Sequence, residues 1–150
     1  MKLVTVIGTR PQIIKSAALS RAIRKRRDIS EIVVNTGQHY DPSMSSLFFS
    51  ELGLLEPDYC LGIGGLSHGA TTGRLIESIE KVLLRESPDV VITFGDTNST
   101  LGAGVSAAKL NIPIAHVESG LRSFDMSMPE ELNRILVDRV SEYLLCPTKN

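Results

Sequence analysis

Asp96, Glu118 and Glu130 are the acidic residues whose settings best suit chemistry. Each stands among glycines or polar residues; Glu118 directly follows an apolar run, and Asp96 follows one after Gly95. A carboxylate in such a place can take or hold a proton, or face a cationic partner. Asp96 also suits a helix cap, although Thr97, Asn98 and Ser99 beside it cap equally well. Glu118 leaves its apolar run with no obvious cap to make. Glu130 has a direct structural rival: Ser127-Met128-Pro129-Glu130 fits the S-x-x-E capping box, with Ser127 as N-cap and Glu130 at N3. The matching cations are Arg10 and Lys15. Gly8-Thr9-Arg10-Pro11 sets free backbone amides and a guanidinium at a helix start, which favours anions. Lys15, one turn on, is either a second charge near a phosphate or a solvated helix residue. His116 reads as a hydrogen-bonded histidine of the core. His39 and His68 lack any ligand spacing, so no metal site is expected.

Elements alternate regularly enough to say how these residues are held. Apolar runs at Leu3–Ile7, Ile32–Val34, Val90–Phe94, Ile114–Val117 and Tyr143–Cys146 read as strands, with a short one at Tyr59–Leu61. Helical periods begin at Pro11, span Pro42 to about Leu52, Gly69 to Glu86, Ser99 to Lys109 and Pro129 to Arg139. Val90–Phe94 is apolar on both faces, the mark of a strand inside a parallel sheet covered on both sides. The pattern predicts an α/β domain with a doubly wound, Rossmann-like parallel sheet of six or seven strands. In such a sheet ligands bind beyond the carboxyl ends of the strands. Arg10, Gln38, Asp96 and Glu118 all fall at strand exits and should line one rim.

Composition excludes several classes. The chain has 150 residues, with 42% hydrophobic and 22% charged, which is one globular domain's worth. Lys plus Arg is 16 and Asp plus Glu is 17, a formal net charge of −1. That supplies no bulk field for nucleic acid or an anionic membrane. Apolar runs of about five residues fall far short of the ~18–20 that span a bilayer. Cys60 and Cys146 read as buried free thiols in a reducing cytoplasm. Gly102-Ala103-Gly104-Val105-Ser106-Ala107 matches G-x-G-x-x-A, but it lies inside a helix rather than at a strand's end, so close helix packing explains it better than a dinucleotide. No cofactor is expected. Arg21 to Arg27 holds a basic cluster that suits a helix C-terminus.

Five motifs taken together resemble a family. Gly8-Thr9-Arg10-Pro11 with Lys15, Thr36-Gly37-Gln38-His39, Gly95-Asp96-Thr97, His116-Val117-Glu118-Ser119-Gly120-Leu121-Arg122 and Pro129-Glu130-Glu131-Leu132-Asn133-Arg134 occur in order. They resemble the non-hydrolysing UDP-N-acetylglucosamine 2-epimerases, and the Ser123-Phe124-Asp125 version looks most like archaeal members. The resemblance implies a GT-B type fold of two Rossmann-like domains, of which residues 1–150 are the N-terminal one. It implies interconversion of UDP-GlcNAc and UDP-ManNAc by elimination and re-addition of UDP. It assigns catalysis to Asp96, Glu118 and Glu130, and substrate binding to Arg10, Lys15, Gln38, His39 and Arg122. A cytoplasmic homodimer is implied, and Phe48, Phe49, Leu52, Leu54 and Leu55 offer apolar surface for it.

The chain departs from the family at Gln12, where many members have Glu, and at Ser119, where Ala is usual. Tyr40-Asp41-Pro42 replaces the polar stretch that, in bacterial members, helps bind UDP-GlcNAc as activator. Family members are more than twice as long, and their UDP-binding second domain has no counterpart here. An excised half, a truncated gene and a split pair all fit, and the half alone is expected to be inactive. Two other readings remain: the acceptor-side domain of a GT-B glycosyltransferase, and a non-catalytic sugar-nucleotide-binding module.

Overall fold

Among the described residues, a six-stranded parallel sheet in the order β3-β2-β1-β4-β5-β6 organises the domain. The computed structural model describes residues 1–37 and 49–148. In chain order they form β1 (Lys2–Ile7), α1 (Arg10–Ile23), β2 (Ser30–Asn35), β3 (Tyr59–Cys60), α2 (His68–Glu86), β4 (Val90–Phe94), α3 (Asn98–Lys109), β5 (Ile114–Val117), α4 (Pro129–Val140) and β6 (Tyr143–Leu145). The chain winds outward from β1 through β2 to β3, returns to β4, and winds the other way. The reversal of strand order falls between β1 and β4, the switch point at whose carboxyl ends doubly wound sheets bind ligands. The register Leu3↔Val90, Val4↔Val91 and Thr5↔Ile92 closes that seam.

Alternation along each strand feeds two cores. Val4, Val6, Val34, Val91 and Ile114 face Leu75, Ile79 and Leu83 of α2 and Ala103 and Ala107 of α3. Leu3, Ile7, Ile92 and Phe94 face the other way, with Ile13 and Ile23 of α1 and with Phe49. Both faces of β4 are thus covered, which is why Val91, Ile92 and Phe94 supply apolar side chains to either side and even Thr93 is buried. The glycines of the G-x-G-x-x-A run lie in α3 and serve packing. A Cβ on Gly102 would sit 2.8 Å from Leu75 Cβ, and one on Gly104 3.1 Å from Val137 Cγ2.

Some expectations fail. Cys60 and Cys146 are free but exposed, because β3 and the end of β6 are the two edges of the sheet. Phe49 is buried in the core, with Leu52 and Leu54 packed against it, so of this group only Leu55 is well exposed among the described residues. Gln38, His39, Phe48, the Tyr40–Pro42 stretch and most of the helix expected from Pro42 lie outside the described residues. Among those described, no helix is long and apolar enough to cross a membrane.

Candidate active site

Parallel strands deliver their exits to one end of the sheet, so Arg10, Asp96 and Glu118 share one rim. The turns there are tight. A Cβ on Gly8 would lie 2.1 Å from Thr36 Oγ1 and 2.3 Å from Ser99 Oγ, so only glycine fits at the β1 exit. The buried Gln12 side chain ties that exit to the next. Its Oε1 accepts from the Gly8 amide at 2.8 Å and the Thr9 amide at 3.1 Å. Its Nε2 donates to Phe94 O at 2.7 Å and also lies 3.0 Å from both Thr97 Oγ1 and Thr100 Oγ1. An amide does both jobs at once, whereas an ionised carboxylate has no proton for Phe94 O. Arg10 is exposed as the first residue of α1.

Asp96 is not a helix cap. The N-cap of α3 is Thr97. The Asp96 carboxylate instead receives Arg134, whose Nε and Nη2 lie 2.9 and 2.6 Å from Asp96 Oδ2. The Asp96 carbonyl accepts from Asn133 Nδ2 at 2.8 Å. Two residues of α4 therefore fix the β4 exit.

Glu118 sits at φ +70°, a left-handed conformation uncommon for a residue with a Cβ. Strain of that kind persists where surrounding structure enforces it, often at functional sites. Gly95 turns the chain at φ +62°, and a Cβ there would lie 3.4 Å from Glu118 Oε2. The Glu118 carboxylate therefore lies over the residue just before Asp96. Lys15 Nζ donates to the same Oε2, in a partly exposed ion pair. Lys15, exposed on α1, thus meets a carboxylate at the rim.

The capping box expected at Ser127 does not form. Pro129 holds the first helical position, the N-cap is Met128, and Glu130 and Glu131 follow as N2 and N3. A proline has no amide proton and a preset φ, which suits the first position and moves the helix start past Ser127. Ser127 Oγ donates instead to Asp125 Oδ1 at 2.6 Å. Glu130 is exposed in the first turn, and its rival explanation as a cap is removed.

The structural glutamate is the next one. Glu131, 1% exposed, accepts from the Ser123 and Phe124 amides at 3.0 Å each, and from Arg134 Nη1 at 2.7 Å. The Ser123 amide first, then Arg134 and the Phe124 amide, hold its carboxyl down at about 2, against a desolvation that pushes it up. Arg134 thereby couples the Ser123–Phe124 loop to Asp96. Arg122 pairs through Nη1 with Asp138 Oδ2 at 2.6 Å and donates to Leu121 O at 2.7 Å. His116 is fully buried and bonded through both ring nitrogens, as its place within a strand suggests.

Sequence reading singled out neither Arg134, Asn133 nor Asp138 as a site residue. Arg134 and Asn133 stood inside a quoted motif, and Glu131 three residues before Arg134 marks a helical pair. Asp138 had no such signal. Among the described residues no cluster of three or more His, Cys, Asp or Glu could hold a metal. The rim offers instead adjacent carboxylates, each against a cation, beside helix starts. That arrangement can move a proton and steady an anionic leaving group.

A family model described as UDP-N-acetylglucosamine 2-epimerase matches residues 21–150. The chain is 55% identical over 149 residues to a UDP-2,3-diacetamido-2,3-dideoxy-D-glucuronate 2-epimerase of Pseudomonas aeruginosa, covering 99% of this chain and 42% of that protein. It is 51% identical over 149 residues to the UDP-N-acetylglucosamine 2-epimerase of Methanocaldococcus jannaschii, covering 99% and 40%. The crystal structure of the M. jannaschii UDP-GlcNAc 2-epimerase in complex with UDP-GlcNAc and UDP superposes with a TM-score of 0.95 at 51% identity, over 99% of this chain and 41% of that one. The chain thus spans about two fifths of the length of these relatives.

Proposed function

This chain belongs to the UDP-N-acetylglucosamine 2-epimerase family, and from that premise we propose that its rim is one wall of a cleft that inverts C2 of UDP-GlcNAc to give UDP-ManNAc. The domain works as the N-terminal half of a GT-B type enzyme. A second domain holds most of the uridine diphosphate, and two copies form a homodimer. The observation that carries the reading is the pairing of two neighbouring rim carboxylates with two cations, Glu118 with Lys15 and Asp96 with Arg134.

The chemistry follows from the substrate. A carboxylate takes the proton from C2, and the C–H electron pair becomes the C1–C2 double bond. The C1–O bond breaks and UDP leaves with its electrons. A proton then reaches C2 on the opposite face while the UDP oxygen adds back to C1. Two faces need two proton carriers, and Asp96, Glu118 and Glu130 are the candidates. Arg10 and Lys15 answer the charge that develops on the departing diphosphate, the kind of term that usually dominates such catalysis. Gln38, His39 and Arg122 hold the sugar nucleotide.

A second substrate is favoured by one observation: the Pseudomonas relative at 55% identity is named for UDP-2,3-diacetamido-2,3-dideoxy-D-glucuronate. Both sugars carry an acetamido group at C2, so the same proton transfer serves either. The test uses the full-length protein in D2O with each UDP-sugar supplied separately. Epimer formation with deuterium at C2 is the expected result. Absence of turnover and of deuterium uptake with both sugars would sink the proposal, and the ratio of kcat/KM values chooses between them.

A further inference from the structure

We propose that His116 is a buried imidazolium, a positioning residue that holds the exits of β4 and β5 in one arrangement. The hydrogen-bond inventory requires the charge. His116 is 0% exposed. Its Nε2 lies 2.7 Å from the Gly95 carbonyl oxygen, which can only accept. Its Nδ1 lies 2.7 Å from Asp138 Oδ1. Asp138 Oδ2 accepts from the Gly120 amide at 3.1 Å and from Arg122 Nη1 at 2.6 Å. A carboxyl group so supplied with donors, one a guanidinium, is held as a carboxylate. Both ring nitrogens therefore face acceptors, and each must carry a proton. A neutral ring would press one lone pair against an oxygen at 2.7 Å, in a place no water reaches.

Asp138 of α4 is in direct contact with the ring, and Arg122 of the loop after β5 stands behind it; the β4 exit meets Nε2 through the Gly95 carbonyl, with the Glu118–Lys15 and Asp96–Arg134 pairs beyond it. Through that carbonyl the ring pins the peptide joining Gly95 to Asp96. Through Asp138 it pins Gly120, two residues beyond Glu118. Asp96 and Glu118 are thereby held relative to each other by a side chain that reaches neither. This catalytic consequence rests on the function proposed above, while the protonation state does not.

The experiment is 15N NMR of the histidine-labelled protein, with His116→Gln to assign the signal and His68, exposed on α2, for comparison. Two protonated ring nitrogens at neutral pH are expected for His116. A spectrum with one bare nitrogen would overturn the charge assignment. Should His116→Gln not fold, Asp138→Asn supplies the second reading: without the carboxylate, the ring is expected to become neutral, and a ring still doubly protonated refutes the pairing. In the full-length enzyme, His116→Gln is expected to lower kcat by roughly 10–100-fold with KM little changed, as a displaced catalytic group does. Parent-like kcat in the folded variant ends the positioning role. If no UDP-sugar is turned over by the parent, the proposed function fails, yet the NMR result still decides the state of His116.

Discussion

Gly73 in α2 and Gly102 in α3 offer the same substitution with opposite expected signs. Glycine inside a helix costs ~0.8–1.0 kcal/mol relative to alanine, so Gly→Ala stabilises wherever the methyl has room. At Gly73 a Cβ would meet nothing within 4 Å, and the full gain should appear. At Gly102 it would come within 2.8 Å of Leu75 Cβ. Carbon atoms prefer ~3.5–4.0 Å, so α2 and α3 would have to part by much of an ångström. Leu75 Cβ is fixed to its backbone and cannot rotate away. Overpacking of this kind costs ~1–3 kcal/mol, which exceeds the propensity gain over most of its range. The net expectation is a loss of up to ~2 kcal/mol at Gly102, against a gain of about 1 kcal/mol at Gly73. For a domain of this size each kcal/mol moves Tm by ~2–4 °C. Thermal and urea unfolding of the two variants measures the difference directly. If Gly102→Ala raises Tm as much as Gly73→Ala, the close approach of the two helices is not what selects glycine there.

Other expectations follow from single groups. The Thr93 hydroxyl is buried with no hydrogen-bond partner among the described residues, so Thr93→Val should raise stability by about 1 kcal/mol in urea titrations; a loss instead would mean the hydroxyl is satisfied. Glu131 titrates near 2 when folded, below the ordinary carboxyl value of 4.5, so it contributes stability above the higher value that is lost as pH falls toward the lower. Glu131→Gln should therefore be less stable than the parent at neutral pH, with the gap closing in acid; an equal gap at both pH values contradicts that linkage. Ser127→Ala should leave stability within about 0.5 kcal/mol, because Ser127 is not the N-cap. In the full-length enzyme Glu130→Gln should keep stability but lose ~10²-fold or more in kcat, and parent-like turnover would remove Glu130 from the proposed site.

What could be read from the sequence divides by range. Strand and helix limits such as Val90–Phe94 and Pro129 onward came from hydrophobic period and proline chemistry, which are local. The rim followed from topology, since parallel strands must exit at one end. The Arg134–Asp96 pair, 38 residues apart, and His116–Asp138, 22 apart, depend on how α4 lies across the sheet, and no spacing rule encodes that. The capping box failed for a local reason: Glu130 and Glu131 are adjacent, and one residue of slip in the helix start exchanges their roles. The cysteines were misjudged because edge position is a property of the whole sheet.

The strand order also governs how the domain is made. β1 leaves the ribosome before the other strands of the sheet yet ends in its middle, between β2 and β4. Its pairing with β2, Lys2↔Ser30, needs only the first helical crossover, but Leu3 must find Val90. At ~5–20 residues per second, roughly 5–20 s pass before β4 has been synthesised. During that time Val4 and Val6 lack α2 and α3, and one edge of β1 has no neighbour. The α1 side can form early, because Leu3, Ile7, Ile13 and Ile23 all lie within the first crossover. Nascent chains of this protein should therefore be held by chaperones, or aggregate, mainly before β4 emerges. Non-local parallel pairing then sets the folding rate. Pulse-labelled translation stalled before and after residue 94 would show the change in protease resistance.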